Sequence, residues 1–164
     1  MEWTKQLGRY IIVMLLQVLL FNQLQLLGVC HPYIYVLCLL MMPITLPHSA
    51  DMAIGAIAGL IMDIFCNSLG IHTASCILLM FLRPYILGTL VNDKDRLNEQ
   101  ITLHVLGMET MLKYVTILVL IHHLSVFLLA AWSWAHIGFV LLETLVSSIV
   151  TIIVIIVYNA LKYK

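Results

Sequence analysis

Charged side chains are scarce in this 164-residue chain: Asp, Glu, Lys and Arg together make up 10% of it, against 63% hydrophobic residues. The mean hydropathy is +1.07. A soluble domain carries about 25% charged residues, and a chain this small has too much surface to hide the deficit in a core. The composition therefore excludes a soluble globular protein and points to an integral membrane protein. Nor is there an excess of one sign. Eight basic and eight acidic side chains cancel, which leaves no basic face for nucleic acid. The four cysteines, Cys30, Cys38, Cys66 and Cys76, lack C-x-x-C spacing and adjacent ligand pairs, so no structural metal is implied. Cys30 and Cys66 fall near one expected membrane edge, where a disulfide is the alternative to two small apolar residues. No H-E-x-x-H and no histidine pair at i, i+4 occurs, and the adjacent His122 and His123 point to different sides of a helix. A G-x-S-x-G elbow, a cysteine beside a base and a phosphate-cradling glycine loop are missing too. The chain reads as a non-enzyme without a cofactor.

What is present is a succession of apolar runs, near 10–29, 33–46, 52–65, 69–90, 111–130 and 136–158. They predict an all-α, polytopic membrane protein, a compact bundle of about six transmembrane helices forming a single domain over 1–164. No small-x-small site follows the first run, so it is kept as a span and not as a cleaved signal. A straight span needs about 20 apolar residues; runs two and three are shorter and form either two short spans or a re-entrant hairpin. The hydrophilic stretch Asn92–Gln100 lies in a loop over 91–110 and continues toward run five through Ile101, Leu103 and Leu106. Trp132 and Trp134 mark an interface, where indole rings favour the headgroup region.

With six spans, Lys5, Arg9, Lys94, Arg96, Lys113, Lys162 and Lys164 all fall on one side, and the three opposite turns, near 28–32, 66–70 and 131–135, hold no Lys or Arg. The positive-inside bias then places both termini and the 91–110 loop in the cytoplasm.

The residues that stand out are polar or small ones inside apolar runs. Gly55, Gly59 and Asp63 recur every fourth position and share one helical face. Two residues without side chains let a neighbouring helix approach closely, and a carboxylate one turn later can close the contact with a polar bond. That face, with Gly70, is the expected seat of a partner's helix. Arg83, before Pro84, is deep in run four and calls for a partner, since an intramembrane arginine costs at least about 2.5 kcal/mol unless it snorkels or pairs. His136, Glu143, Ser147 and Thr151 follow at intervals of seven, four and four, a polar stripe that must face protein or a water-filled cavity. Gln17, Asn22, Gln23 and Gln25 crowd the far half of run one, which points that side into the bundle.

Gly55, Gly59-Leu60, Asp63 and Leu69-Gly70, in a chain of this length, resemble the bacterial rod shape-determining protein MreD family, whose members have a stretch similar to G-x-x-x-G-L-x-x-D followed by L-G. The resemblance implies a multi-pass inner-membrane scaffold subunit of the cell-elongation machinery that supports peptidoglycan synthesis. Its implied partners are MreC, a single-span protein whose transmembrane helix it would bind, and, in the same assembly, the MreB filament, the RodA glycosyltransferase and a penicillin-binding transpeptidase. The family's fold is similar to that of the substrate-binding subunits of energy-coupling-factor vitamin transporters. That likeness defines the rival reading, a small-molecule carrier whose pocket would be lined by Arg83, Glu143, His136 and the serines of run six, Ser147 among them.

Overall fold

The structure, a computed structural model, describes residues 2–23, 28–91 and 101–162. Six helices account for most of them: α1 (Glu2–Leu19), α2 (Val36–Leu40), α3 (His48–Cys66), α4 (Ile71–Leu90), α5 (Leu103–Ala131) and α6 (Ile137–Lys162). Four are long and apolar enough to cross a membrane, α3, α4, α5 from Val105 and α6 with the 3-10 turn Trp134–His136 before it; the apolar part of α1, Gly8–Leu19, is shorter. The protein is a membrane-embedded helical bundle. The expected spans near 52–65, 69–90, 111–130 and 136–158 correspond to α3, α4, α5 and α6.

The helix boundaries have local causes. Pro47 sits in the extended region, and its carbonyl accepts from the N–H groups of Ala50 and Asp51 to open α3. Asn67 ends α3 in the left-handed conformation at φ 52°, and Gly70 opens α4 at φ 83°, where glycine carries no steric penalty. Thr102 caps α5 by accepting from the Val105 N–H at 3.3 Å. Gly107, at φ 74° and ψ 161°, interrupts that helix one turn in, so the expected continuation through Ile101 and Leu106, which are buried, and Leu103, which is partly so, is kinked relative to the rest of α5. Of the preceding hydrophilic stretch, 92–100 lies outside the described residues.

Packing follows chain order: α3 lies along α4, α4 along α5 and α5 along α6. Ile57, Leu60 and Ile64 on α3, and Leu145, Ile149 and Ile153 on α6, face outward. In hydrocarbon such faces need no protein cover, because lipid tails are as apolar as leucine.

Run two, expected near 33–46, is not a helical span. Its one helix, α2, has five residues, about 7.5 Å of rise, and Tyr35 to Leu40 are almost wholly buried. The segment nevertheless travels far. Tyr33 packs edge to face with the ring of His72 in the first turn of α4, centroids 5.3 Å apart, while the Met42 carbonyl accepts from Arg83, eleven residues further along α4. That is about 16 Å of helical rise. Non-helical backbone at membrane depth is tolerated only where protein surrounds it, and here it does.

Candidate functional site

The segment 30–47 requires partners for backbone groups that no helix satisfies, and polar side chains of its neighbours supply them. Gln17 of α1 is 1% exposed. Its Oε1 accepts from the N–H groups of Ile34 (2.6 Å) and Tyr35 (3.3 Å), and its Nε2 donates to the Pro32 carbonyl and to Asn22 Oδ1, each at 3.1 Å. The amides of run one thus face the bundle where they are described; Gln25 and the side chain of Gln23 lie outside the described residues. From α6, Ser147 Oγ accepts from the His31 N–H at 2.9 Å.

At the far end of the segment is a charged centre. Arg83 is 1% exposed and Asp51 3%. Arg83 Nη1 donates to Asp51 Oδ2 at 2.7 Å, and Nε donates to Tyr114 Oη at 3.2 Å. Nη2 donates to the Met42 carbonyl, and Tyr114 Oη in turn donates to the Leu40 carbonyl at 2.9 Å. One guanidinium therefore ties together α3, α4, α5 and the end of the irregular segment. The fork of donors, held against a carboxylate and carbonyls, is the geometry in which a buried arginine is tolerated.

Gly55 and Gly59 make the close approach that their spacing implies, and they make it to α4 of the same chain. A Cβ on Gly55 would lie 2.9 Å from the Cys76 carbonyl oxygen and 2.7 Å from Met80 Cγ. On Gly59 it would lie 2.6 Å from the His72 carbonyl oxygen and 2.7 Å from the Thr73 nitrogen, besides meeting Thr73 Cα. Asp63 completes the joint. Its Oδ1 accepts from Ser68 Oγ (2.6 Å) and the His72 N–H (2.9 Å). Its Oδ2 accepts from the Thr73 N–H (2.9 Å) and Thr73 Oγ1 (2.6 Å). A carboxylate on α3 thereby caps the free N–H groups at the start of α4, where the helix dipole also favours negative charge. Gly70 provides the turn into that start. The face expected to receive a partner's helix is filled from within the chain, because backbone contacts this short leave no room for a second occupant.

The polar stripe on α6 faces protein as expected over most of its length. Glu143 Oε1 is 3.9 Å from His31 Nε2, and Thr151 Oγ1 is 3.3 Å from His123 Nε2. His123 Nδ1 lies 2.9 Å from the Val119 carbonyl, which can only accept, so Nδ1 carries the proton and Nε2 accepts from the threonine. His136 departs from the stripe: it sits exposed in the turn Trp134–His136 before α6. His72, His122 and His123 surround the Tyr33 ring at centroid distances of 5.3, 6.0 and 5.2 Å, and Tyr35 Oη is 2.9 Å from His122 Nε2. All four cysteines are free, Cys30 and Cys66 included.

The structure does not bring together the residues of the rival pocket. Arg83 belongs to the Asp51 centre, Glu143 and Ser147 lie against His31, and His136 lies in the turn beyond. Sequence reasoning missed Asp51, Gln17 as the holder of the irregular segment, and the Tyr33–histidine cluster. No protein-family model, no curated protein and no solved structure matches this chain. The class defined by fold and site is a membrane-embedded helical bundle with internal polar contacts, chief among them the Arg83–Asp51 centre and the Asp63 joint.

Proposed function

We propose that the protein is a non-enzymatic scaffold subunit of a bacterial cell-elongation complex. It would bind the transmembrane helix of an MreC-type partner in the inner membrane and help couple an MreB filament to cell-wall synthases. One observation supports this most directly. Gly55, Gly59, Asp63 and Gly70, four of the six residues on which the resemblance to the MreD family rests, form one joint between α3 and α4, which gives their order and spacing a single physical reason. A pattern of generic membrane residues gains weight when its small and charged members serve one contact, although Leu60 and Leu69 of the same pattern lie exposed outside it.

The joint also moves the partner's seat. With the glycine face used internally, the surface we assign to the partner helix is the outward flank of α3 beside α1. There an apolar groove of about 370 Å³ is lined by Ile11, Met14 and Leu15 on one side and Ile57, Ala58 and Ile61 on the other. Association in lipid proceeds through such packing and not through hydrophobic expulsion.

The test is photo-crosslinking in the cell that makes the protein, with the reactive residue at Ile57 or Ile61 and, for comparison, at Ile149 or Ile153 on α6. The expected product is a crosslink to a single-span protein from the α3 positions alone, together with loss of rod shape on depletion. Normal cell shape after depletion, or no such product from any position in a normally inserted protein, overturns the proposal.

A further inference from the structure

Among the described residues α1 is not packed along α6, and a groove of about 650 Å³ lies between them. Ile12, Val13 and Leu16 of α1 form one wall and Val154 of α6 the other; the buried Ile34 and Leu37 close it from the inside. We propose that this groove seats one anionic phospholipid, with an acyl chain along the apolar walls and the phosphate against Arg9 and Lys162.

Apolar walls alone would suit any hydrocarbon, and the charged head is what selects. Arg9 and Tyr158 line one end of the groove, and both also line a small adjoining hollow where Lys162 joins them. Both cations are within reach of an anion, since Arg9 is partly covered and Lys162 is exposed. Arg9 Cζ is 5.5 Å from the centroid of the Tyr10 ring, and Lys162 Nζ is 5.9 Å from that of Tyr158. Tyrosines beside the basic heads fit the level at which amphipathic rings meet lipid headgroups.

Among the described residues no acidic side chain lines the groove or the hollow. The acidic residues of the two helices are Glu2, seven before Arg9, and Glu143, nineteen before Lys162. Those separations are about 10 and 28 Å of helical rise. The sequence adds Lys5 and Lys164 at the same end, so basic residues outnumber acidic ones there. A phosphate in this place meets two cations. The amine of a zwitterionic headgroup would face the same two, which favours a headgroup of net negative charge.

Depth agrees with charge. From Gly8 to Leu16 the groove follows α1 for about 12 Å, close to the roughly 15 Å of hydrocarbon in one leaflet. The groove on the other flank of α1, which faces α3, has no charged residue in its walls. That one suits a helix; the basic end of this one suits a lipid.

The test titrates full-length protein in lipid-depleted micelles with phosphatidylglycerol and phosphatidylcholine of matched acyl chains, and reads retained lipid by native mass spectrometry. Phosphatidylglycerol should be retained at least about tenfold better. Arg9→Gln and Lys162→Gln should each cut that preference about fivefold, the worth of one basic residue beside an anionic surface. Lys113→Gln, on α5 away from the groove, should leave it unchanged. Ile12→Trp adds bulk at a wall position that is 58% exposed and should lower phosphatidylglycerol retention with every charge in place. Ile153→Trp, on the outward face of α6, should not. Equal retention of the two lipids by the unmodified protein overturns the proposal, as does a loss from Lys113→Gln as large as that from Arg9→Gln. Undiminished retention in Ile12→Trp overturns it too. In cell membranes a photoreactive residue at Leu16 should capture lipid, and capture of a polypeptide there in place of lipid overturns the assignment of the groove.

Discussion

Replacing Asp51 with leucine leaves the Arg83 guanidinium 1% exposed with its charge uncompensated. Removing one partner of a buried ion pair costs about 3–5 kcal/mol, most of it the penalty of the stranded charge and not the worth of the pair. Arg83→Met strands Asp51 in the same way and takes a donor from the Met42 carbonyl; Tyr114 keeps its bond to the Leu40 carbonyl. The double variant, Asp51→Leu with Arg83→Met, removes both charges and leaves neutral acceptors, the Met42 and Pro43 carbonyls and Tyr114 Oη, short of the arginine's donors. It should therefore be far more stable than the sum of the single losses implies, with a coupling energy of about 2–4 kcal/mol between close, desolvated charges. The measurement is a double-mutant cycle on the protein in micelles, following reversible unfolding by loss of helical circular dichroism. A coupling below about 0.5 kcal/mol, the range of exposed pairs, would show that water reaches the pair and would refute the account of Arg83 as the clamp on the irregular segment.

Gly59→Ala should destabilise by about 1–3 kcal/mol, the usual range for overpacking, because the new Cβ meets α4 backbone that cannot rotate away; Gly138→Ala, with nothing within 4 Å, should be neutral or better in the same unfolding assay. Asp63→Asn replaces an acceptor with an amide that cannot accept at both positions, so amide hydrogen exchange at Ile71–Ala74 should accelerate about 10-fold or more, for roughly 1–3 kcal/mol lost, while exchange in α6 stays unchanged. Gln17→Leu leaves Ile34 and Tyr35 without their N–H acceptor, and chymotrypsin, which cleaves after aromatic residues, should then cut at Tyr33 or Tyr35 before it cuts α3 to α6.

Asp51 was within reach of the sequence. The turn joining α3 to α4 centres near Ser68, and Asp51 lies seventeen residues before it while Arg83 lies fifteen after. In an antiparallel helical hairpin equal distances from the turn meet at equal depth, so the only carboxylate that mirrors Arg83 across the turn is its partner. The glycine contacts lie about one turn off that mirror: Gly59 meets His72 and Thr73, and Gly55 meets Cys76, each closer to the turn on α4 than on α3. Reading Gly55, Gly59 and Asp63 as one helical face was sound; assigning that face to another molecule ignored the nearest helix available, the one that follows in the chain. The stripe of Glu143, Ser147 and Thr151 was visible for the reason that polar groups in lipid need cover. Periodicity is silent about 33–46, because a short apolar run buried on all sides looks the same as a helix or as irregular chain. What decides is where its backbone donors and acceptors find partners, and those come from Gln17, Ser147, Arg83 and Tyr114, up to 116 residues away. The polar residues on α1, α4, α5 and α6 are thus the counterpart of one missing helix. If so, replacing any one of them should loosen 30–47 first and the four long helices last, and an order of loss in which α3 or α6 frays before that segment would break the link.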